Sequence, residues 1–315
     1  MMKKKFLISV FIVLLTMQSG LFAQSRKYFS QFSHLQGYYN PSLIGYEGSM
    51  LRGFVRNQWA GWEGAPKTFF ISAELDFSQF GSQATTSELG KNATGINVLY
   101  DQYGAFIETE VITSYAARIQ LNDNINLRLG AGFNFNNVRL DGNSLTAEQA
   151  NDPILSQYLN GFADMQVLDF NLGMAITHAK YYLSYAVSNV NQGAFSRGDI
   201  FMERKPRVGV AMAGFRSPVG NSLNLATNAL YRHQNDLPDN IELNFKVLIK
   251  EKLWLGGGHR INYSNSYQFG LLFDSFRVGY IYEMPMLKSY LLPNVTHEFM
   301  LTYALSRRNA NNLIW

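Results

Sequence analysis

Cysteine is absent from the 315-residue chain. That excludes disulfides, thiolate metal ligands and a lipidated cysteine anchor. Charge is scarce: 16% of residues are charged, against about 25% in ordinary soluble domains. Proline occurs eight times, and no Pro/Ser-rich linker or low-complexity tract divides the chain. Beyond the first 23 residues, no apolar run approaches the roughly 20 residues a spanning helix needs. The net charge of +4 includes Lys3, Lys4 and Lys5 at the very start, so nothing argues for nucleic acid as a partner. The five histidines, His34, His178, His233, His259 and His297, form no HxH or HxxxH pair, and no zinc site is expected. Gly256-Gly257-Gly258 is followed by no Lys-Ser/Thr and opens no helix, so it marks a bend or close inner packing rather than a phosphate loop. His259, Asn262 and Ser264 hold the residue types of a hydrolase but lack a Gly-x-Ser-x-Gly elbow. The reading is of a non-enzymatic protein without cofactor or metal.

What the chain has is aromatic and glycine content, 14% Phe, Trp and Tyr with 26 glycines, in a strict period of two. Leu51, Gly53 and Val55 alternate with Arg52, Phe54, Arg56 and Gln58. A Gly/Trp/Pro hinge, 60–66, follows. Then Phe69, Ile71, Ala73, Leu75 and Phe77 alternate with Phe70, Ser72, Glu74 and Asp76. Two alternating runs across such a turn predict a β-hairpin. Further runs predict strands at 93–100, 110–121, 126–135, 167–177, 181–187, 207–215, 223–231, 240–249, 253–261, 267–273, 276–282 and 297–305. With the hairpin this gives about 14 strands, near the ~9–11 residues a tilted strand needs to cross a bilayer.

Arg56, Glu74, Asp76, Arg128, Glu242 and Lys246 all share the parity opposite to the bulky apolar residues. An Arg or Lys facing lipid at the bilayer midplane costs about 2–4 kcal/mol, so apolar faces point to lipid and charged ones to a lumen. Tyr100, Tyr231, Tyr263, Tyr267, Tyr282 and Tyr303 fall near strand ends, as interfacial girdle residues do. Tight turns at 121–124, 177–180, 217–220, 250–252 and 274–275 alternate with longer connections at 140–166, 188–205, 233–239 and 283–294. That is the pattern of short periplasmic turns and long outer loops; the long connection 78–92 departs from it. The 140–166 loop is acidic, with a short helix expected over 148–158 broken at Pro153. Asp141, Asn143 and Asp152 lack EF-hand spacing, so the loop reads as solvated rather than calcium-binding. The fold class is all-β, a transmembrane antiparallel outer-membrane β-barrel. Residues 1–23 read as a secretory signal peptide, with a basic start and an apolar stretch from Phe6 to Leu15. Residues 24–48 read as an N-terminal segment, a plug or a periplasmic contact, with Pro41 excluding a regular strand. The barrel spans 49–305, and 306–315 is a basic, Asn-rich tail ending in Trp315.

Several short motifs resemble the PorP/SprF-like membrane proteins of Bacteroidetes type IX secretion and gliding systems. They are Asn40-Pro41, Arg56-Asn57-Gln58-Trp59, Gly61-Trp62-Glu63-Gly64-Ala65-Pro66-Lys67 and Tyr100-Asp101-Gln102-Tyr103-Gly104. Leu253-Trp254-Leu255-Gly256, Gly279-Tyr280-Ile281-Tyr282 and His297-Glu298-Phe299-Met300-Leu301 also fit. Tyr282-Glu283 departs from the Tyr-Asp more common in that family. The resemblance implies an outer-membrane protein supporting the secretion or surface anchoring of a large adhesin-like partner. It also implies contact with periplasmic or peptidoglycan-linked components of that machinery. The candidate partner-binding or family-motif residues are Arg56, Asn57, Gln58, Trp59, Trp62, Glu63, Gly64, Pro66, Lys67, Asp101, Gly104, His297 and Glu298. Arg56 with Glu63 or Asp101 reads either as an inward ion-pair cluster that orders the hinge loop as a docking surface, or as lumen packing and strand registration. Trp59 and Trp62 read equally as partner anchors or bilayer anchors, Gly64 and Pro66 as turn formers. The alternative reading is a passive channel for small solutes.

Overall fold

The computed structural model describes residues 28–79, 91–144, 158–159, 161–199, 205–235, 237–286 and 295–305. The expected signal peptide, the helix over 148–158, Asp152, most of the 78–92 connection and the 306–315 tail lie outside these residues. The period-two runs form β1 (Met50–Asn57), β2 (Lys67–Asp76), β3 (Asn92–Tyr103), β4 (Phe106–Gln120), β5 (Asn126–Asp141), β6 (Phe162–Thr177) and β7 (Tyr181–Ser188). A short β8 (Phe195–Gly198) follows, then β9 (Val208–Val219), β10 (Leu223–Gln234), β11 (Leu237–Ile249), β12 (Leu253–Arg260), β13 (Ser264–Phe273), β14 (Phe276–Pro285) and β15 (Thr296–Ala304). Each barrel strand pairs antiparallel with its neighbours. β15 returns to β1 and β7 pairs directly with β9, so fourteen strands close a cylinder, with β8 added beside the first part of β6, Met165–Leu168. Closure leaves no unpaired sheet edge inside hydrocarbon, where an unsatisfied backbone group costs several kcal/mol.

The faces divide as alternation requires. Outward lie Leu51, Val55, Ile71, Phe133, Leu183 and Phe269, with Ile71 67% exposed; inward lie Arg52, Arg56, Glu74, Arg128, Glu242 and Lys246, all under 9% exposed. Two strands run beyond the expected limits, and there the pattern inverts. In β5 past Phe135, Val138 and Leu140 turn inward while Asn137 and Arg139 face out; at the start of β6, Ala163, Met165 and Val167 turn inward opposite Asp164 and Gln166. This part of the wall rises out of lipid, where an apolar residue belongs inside and a polar one outside.

Turns at 121–125, 178–180, 220–222, 250–252 and 274–275 gather at one end of the cylinder, together with the start of β1 and the end of β15. The turn expected at 217–220 comes later in the chain, because β9 continues through Ser217 and Pro218 to Val219. The expected 233–239 loop is instead largely strand, since β10 runs on to Gln234 and β11 begins at Leu237. His233 closes the register with Gly209, and exposed Pro238 lies at the polar start of β11. The 188–205 connection contains β8.

Residues 28–49 lie within the cylinder. They contact strands around its whole circumference: Ser30 meets β14 and β15, Ser33 and His34 meet β11, Tyr38 meets β4, and Asn40 meets β6. Farther along, Ser42 and Ile44 meet β5, Gly45 meets β2, and Ser49 meets Gln79. Only a segment inside the ring reaches all of these. α1 (Gln36–Tyr39) makes one turn, after which Pro41 opens a 3₁₀ turn whose free Ser42 N–H is capped by the Asn40 carboxamide at 2.9 Å. The apolar core therefore lies between segment and wall, with Phe29, Phe32, Leu35 and Leu43 against Phe54, Phe70 and Trp254.

Candidate functional site

Two cross-strand glycine pairs shape the inner wall, one of them against this segment. Gly130 of β5 faces Gly173 of β6. A Cβ on Gly130 would sit 2.2 Å from the Ser42 nitrogen, and one on Gly173 would sit 2.0 Å from the Asn40 side chain. The pair is a notch for the Asn40-Pro41-Ser42 backbone. Gly270 and Gly279 pair likewise beneath the fully buried Trp254 indole. The triple glycine 256–258 also packs closely: side chains on Gly256 and Gly258 would meet Lys246 and Asn244.

Ionic groups hold the segment at both ends. At the end opposite the tight turns, Ser30 donates its N–H to Glu298 at 3.1 Å and its hydroxyl to Glu283. Those carboxylates pair with Arg56, and Arg260 bridges Glu242 at 3.0 Å and Glu283 at 3.2 Å. At the tight-turn end, Glu47 faces Arg52 at 3.4 Å, Arg216 at 3.8 Å and Arg277 at 3.5 Å, from three different strands. Between them, Lys246 Nζ lies 2.7 Å from both the Ser33 hydroxyl and His34 Nε2. Burial, then the Lys246 charge, holds His34 well below its ordinary pKa, so the ring is neutral and accepts from the ammonium. Arg128 donates to the carbonyls of Ser42 and Ile44.

The candidate residues of the sequence separate into an inner row and an outer rim. Glu298, Arg56, Thr68 and Asp101 are successive cross-strand partners on β15, β1, β2 and β3, all facing inward. Register thus joins motifs far apart in the chain. The pairing differs from expectation: Arg56 binds Glu283 and Glu298, Asp101 accepts from the Thr68 hydroxyl at 2.6 Å, and Glu63 is exposed on the loop. Glu63 lies beyond the end of β1, on the exposed part of the loop.

The rim is the loop 58–66. Trp59, Gly61 and Gly64 have positive φ (51°, 95° and 69°), a backbone state that glycine reaches without the steric cost borne by side chains. Gln58 N–H bonds Pro66 at 3.0 Å across its neck. Gly104 N–H bonds Gly64 at 3.0 Å, and Ala60 N–H bonds Val295 at 3.0 Å. The β1–β2, β3–β4 and β14–β15 connections are therefore braced into one surface. Trp62 is 48% exposed there, with Glu63, Asn57 and Lys67 exposed beside it and Pro66 buried beneath. His297 faces outward, opposite in direction to Glu298, and shares a 2.7 Å hydrogen bond with Tyr280.

Two other sequence candidates come apart. His259 faces outward and bonds Asn265 at 2.7 Å, whereas Ser264 is buried inside with Arg260, so the wall separates the two. Asp141 accepts from both nitrogens of Asn143 at 3.0 Å in a self-closed turn. Sequence reasoning missed Ser30, His34 and Glu47. The inward charges they meet were visible in strand parity, but a segment of mixed aromatic and polar residues without periodicity carries no pattern that names its partners.

Among curated proteins, none matches the sequence. Among solved structures, the CymD monoaromatic hydrocarbon channel is similar, with TM-score 0.50, 10% identity, 89% of this chain covered and 94% of that one. The Acinetobacter baumannii outer membrane protein Omp33 aligns with TM-score 0.46 and 9% identity over 82% of this chain and 98% of that one. The likeness to CymD concerns the barrel fold alone. A family model, that of the type IX secretion system membrane protein PorP/SprF, matches residues 21–303. The motifs of the inner row and the rim fall within that span, and the chain belongs to the PorP/SprF family of type IX secretion system membrane proteins.

Proposed function

We propose that the protein is a non-enzymatic outer-membrane anchor of the type IX machinery, holding a large secreted, adhesin-like protein at the rim while its lumen stays plugged. The observation that carries this reading is the filled lumen: residues 28–49 are bonded to the wall at both ends and the middle. A filled lumen supports a holder over a passive solute channel. The braced 58–66 loop with Trp62 in its centre supports the rim as the holding surface, since exposed Trp on a rigid frame is the usual chemistry of an interface hot spot. The tight-turn end, facing the periplasm in this reading, would meet peptidoglycan-linked components.

The test is affinity purification of the full chain from outer membranes in mild detergent, beside a Trp62→Ala/Lys67→Ala variant. A stoichiometric secreted protein co-purifies with the native chain and is lost with the variant. Recovery of the barrel alone from both, with steady open-channel current in planar bilayers, overturns the reading in favour of the channel.

A further inference from the structure

A cavity of about 190 Å³ lies between Tyr38 and Tyr39 of the plug and the wall formed by β4, β5, β6, β9 and β10. Ser188, Asn189, Lys205, Pro206, Gln234 and Leu237 line it near the strand ends opposite the tight turns, so it opens toward that mouth. Its polar groups are only partly used. Glu110 accepts from the Tyr38 hydroxyl at 2.9 Å and from the Asn134 amide nitrogen at 2.7 Å. Asn189 donates its amide nitrogen to the Pro206 carbonyl at 3.1 Å. These bonds fix both carboxamides, and each is left with its oxygen buried and, among the described residues, without a hydrogen-bond partner. Asn134 is 2% and Asn189 6% exposed. Lys205 Nζ stands 3.8 Å from Glu108 and 3.9 Å from Glu110, outside hydrogen-bond range of either.

The unmet demand is specific. The site asks for donors to two amide oxygens and an acceptor for an ammonium, within one small volume. Two carboxylates and two cations, Lys205 and Arg232, line the cavity, so no net charge selects an anion or a cation. Hydroxyl groups both donate and accept, and the tyrosine rings offer flat apolar faces. We propose that this vestibule binds a neutral polyhydroxylated ligand of the class and size of one sugar ring, touching plug and wall at once. Because it contacts Tyr38 and Tyr39 only where the plug is seated, such a ligand stabilises the plugged state. The site stands whether or not the rim holds a secreted partner.

The test is thermal unfolding of the full chain in detergent with graded glucose, mannose, galactose and N-acetylglucosamine. Parallel titrations use free lysine and glycylglycine amide. The expected result is a saturable rise in unfolding temperature with at least one sugar, its half-saturation weakened at least about tenfold in Asn189→Leu and in Lys205→Met. Lys205 has a side chain 21% exposed and carries the comparison if Asn189→Leu does not fold. A rise with lysine or the dipeptide amide but with no sugar makes this a peptide site and overturns the proposal. No rise with any probe means the cavity holds only water, and a sugar response kept by both variants places binding elsewhere; either result overturns it too.

Discussion

Adding a single methyl group at Gly130 should unseat the plug. The backbone there carries no positive φ, so alanine suits the strand itself. The obstacle is the plug: the new Cβ would stand 2.2 Å from the Ser42 nitrogen and 2.4 Å from the Pro41 carbonyl carbon, where ordinary contact begins at 3.4 Å. The plug must therefore retreat by the difference, about 1.2 Å, and backbone cannot rotate aside as a side chain does. Such a retreat stretches the 2.8 Å bond from Arg128 to the Ser42 carbonyl to about 4 Å, beyond hydrogen-bond range. Losing a charged hydrogen bond costs about 1.5–3 kcal/mol, and overpacking about 1–3 kcal/mol. Together they shift the seated-to-released ratio by roughly a hundredfold to ten-thousandfold, at about 1.4 kcal/mol per factor of ten. The chain contains no cysteine, so Ser33→Cys, at a fully buried position of the plug, gives a clean reporter. Maleimide labelling should be slow in Ser33→Cys and faster by that factor when Gly130→Ala is added. Gly53→Ala serves as the control, because its Cβ would meet nothing closer than 3.6 Å. Equal labelling with and without Gly130→Ala would refute the notch, and with it the seated plug.

Three further outcomes follow from the ionic groups. Arg56→Met strands Glu298 in a buried site and leaves Glu283 with Arg260 as its guanidinium partner, and should cost about 3–5 kcal/mol in detergent unfolding, while adding Glu298→Met restores much of it; a loss below about 1 kcal/mol would contradict the burial of the pair. Glu47→Gln leaves Arg52, Arg216 and Arg277 facing a neutral amide, so a cysteine at Ser49 should become more reactive toward maleimide, and unchanged reactivity would refute the tight-turn lock. His34 is held neutral when folded but takes a proton below its ordinary value of about 6.5 when unfolded. The unfolded chain then binds more protons, so stability falls as pH drops through and below that value; His34→Gln, which still accepts from Lys246, should flatten the decline between neutral and mildly acid buffer, and an unaltered slope would count against it.

The wall was legible because lipid imposes a severe rule. A charge at Arg128 or Lys246 must face inward, which fixes the parity of its whole strand. The rule also marks where sequence reading stopped. Past Phe135, and before Val167, the strands leave lipid and the apolar residues change sides, so a search for outward-facing bulk ends at the membrane surface rather than at the strand end. Site pairing was illegible for a different reason. Arg56 and Glu298 are 242 residues apart, and only closure of β15 onto β1 makes them neighbours. Of the two partners that the sequence suggests, Glu63 stands exposed on the rim loop beyond the strand, and Asp101 lies in the same inner row as Arg56 but two strands away, bonded to Thr68.

The plug's direction follows from the same charges. In the ion-pair cluster that Ser30 joins there are three carboxylates, Glu242, Glu283 and Glu298, and two guanidinium groups, Arg56 and Arg260. In the cluster around Glu47 the wall supplies Arg52, Arg216 and Arg277 against Glu74. Water would screen both imbalances in an open lumen. Filling the lumen removes that water, and each surplus then needs a partner, since an unpaired buried charge is among the most costly defects a fold can carry. The plug brings two donors, the N–H and hydroxyl of Ser30, to the acid-rich end, and one carboxylate, Glu47, to the base-rich end. Threaded the other way, Glu47 would face three carboxylates and Ser30 three cations. Orientation is therefore selected by electrostatics as well as by the Gly130–Gly173 notch: the notch grips the chain at Asn40-Pro41-Ser42, and the ionic anchors act on either side of it, at Ser30 and at Glu47.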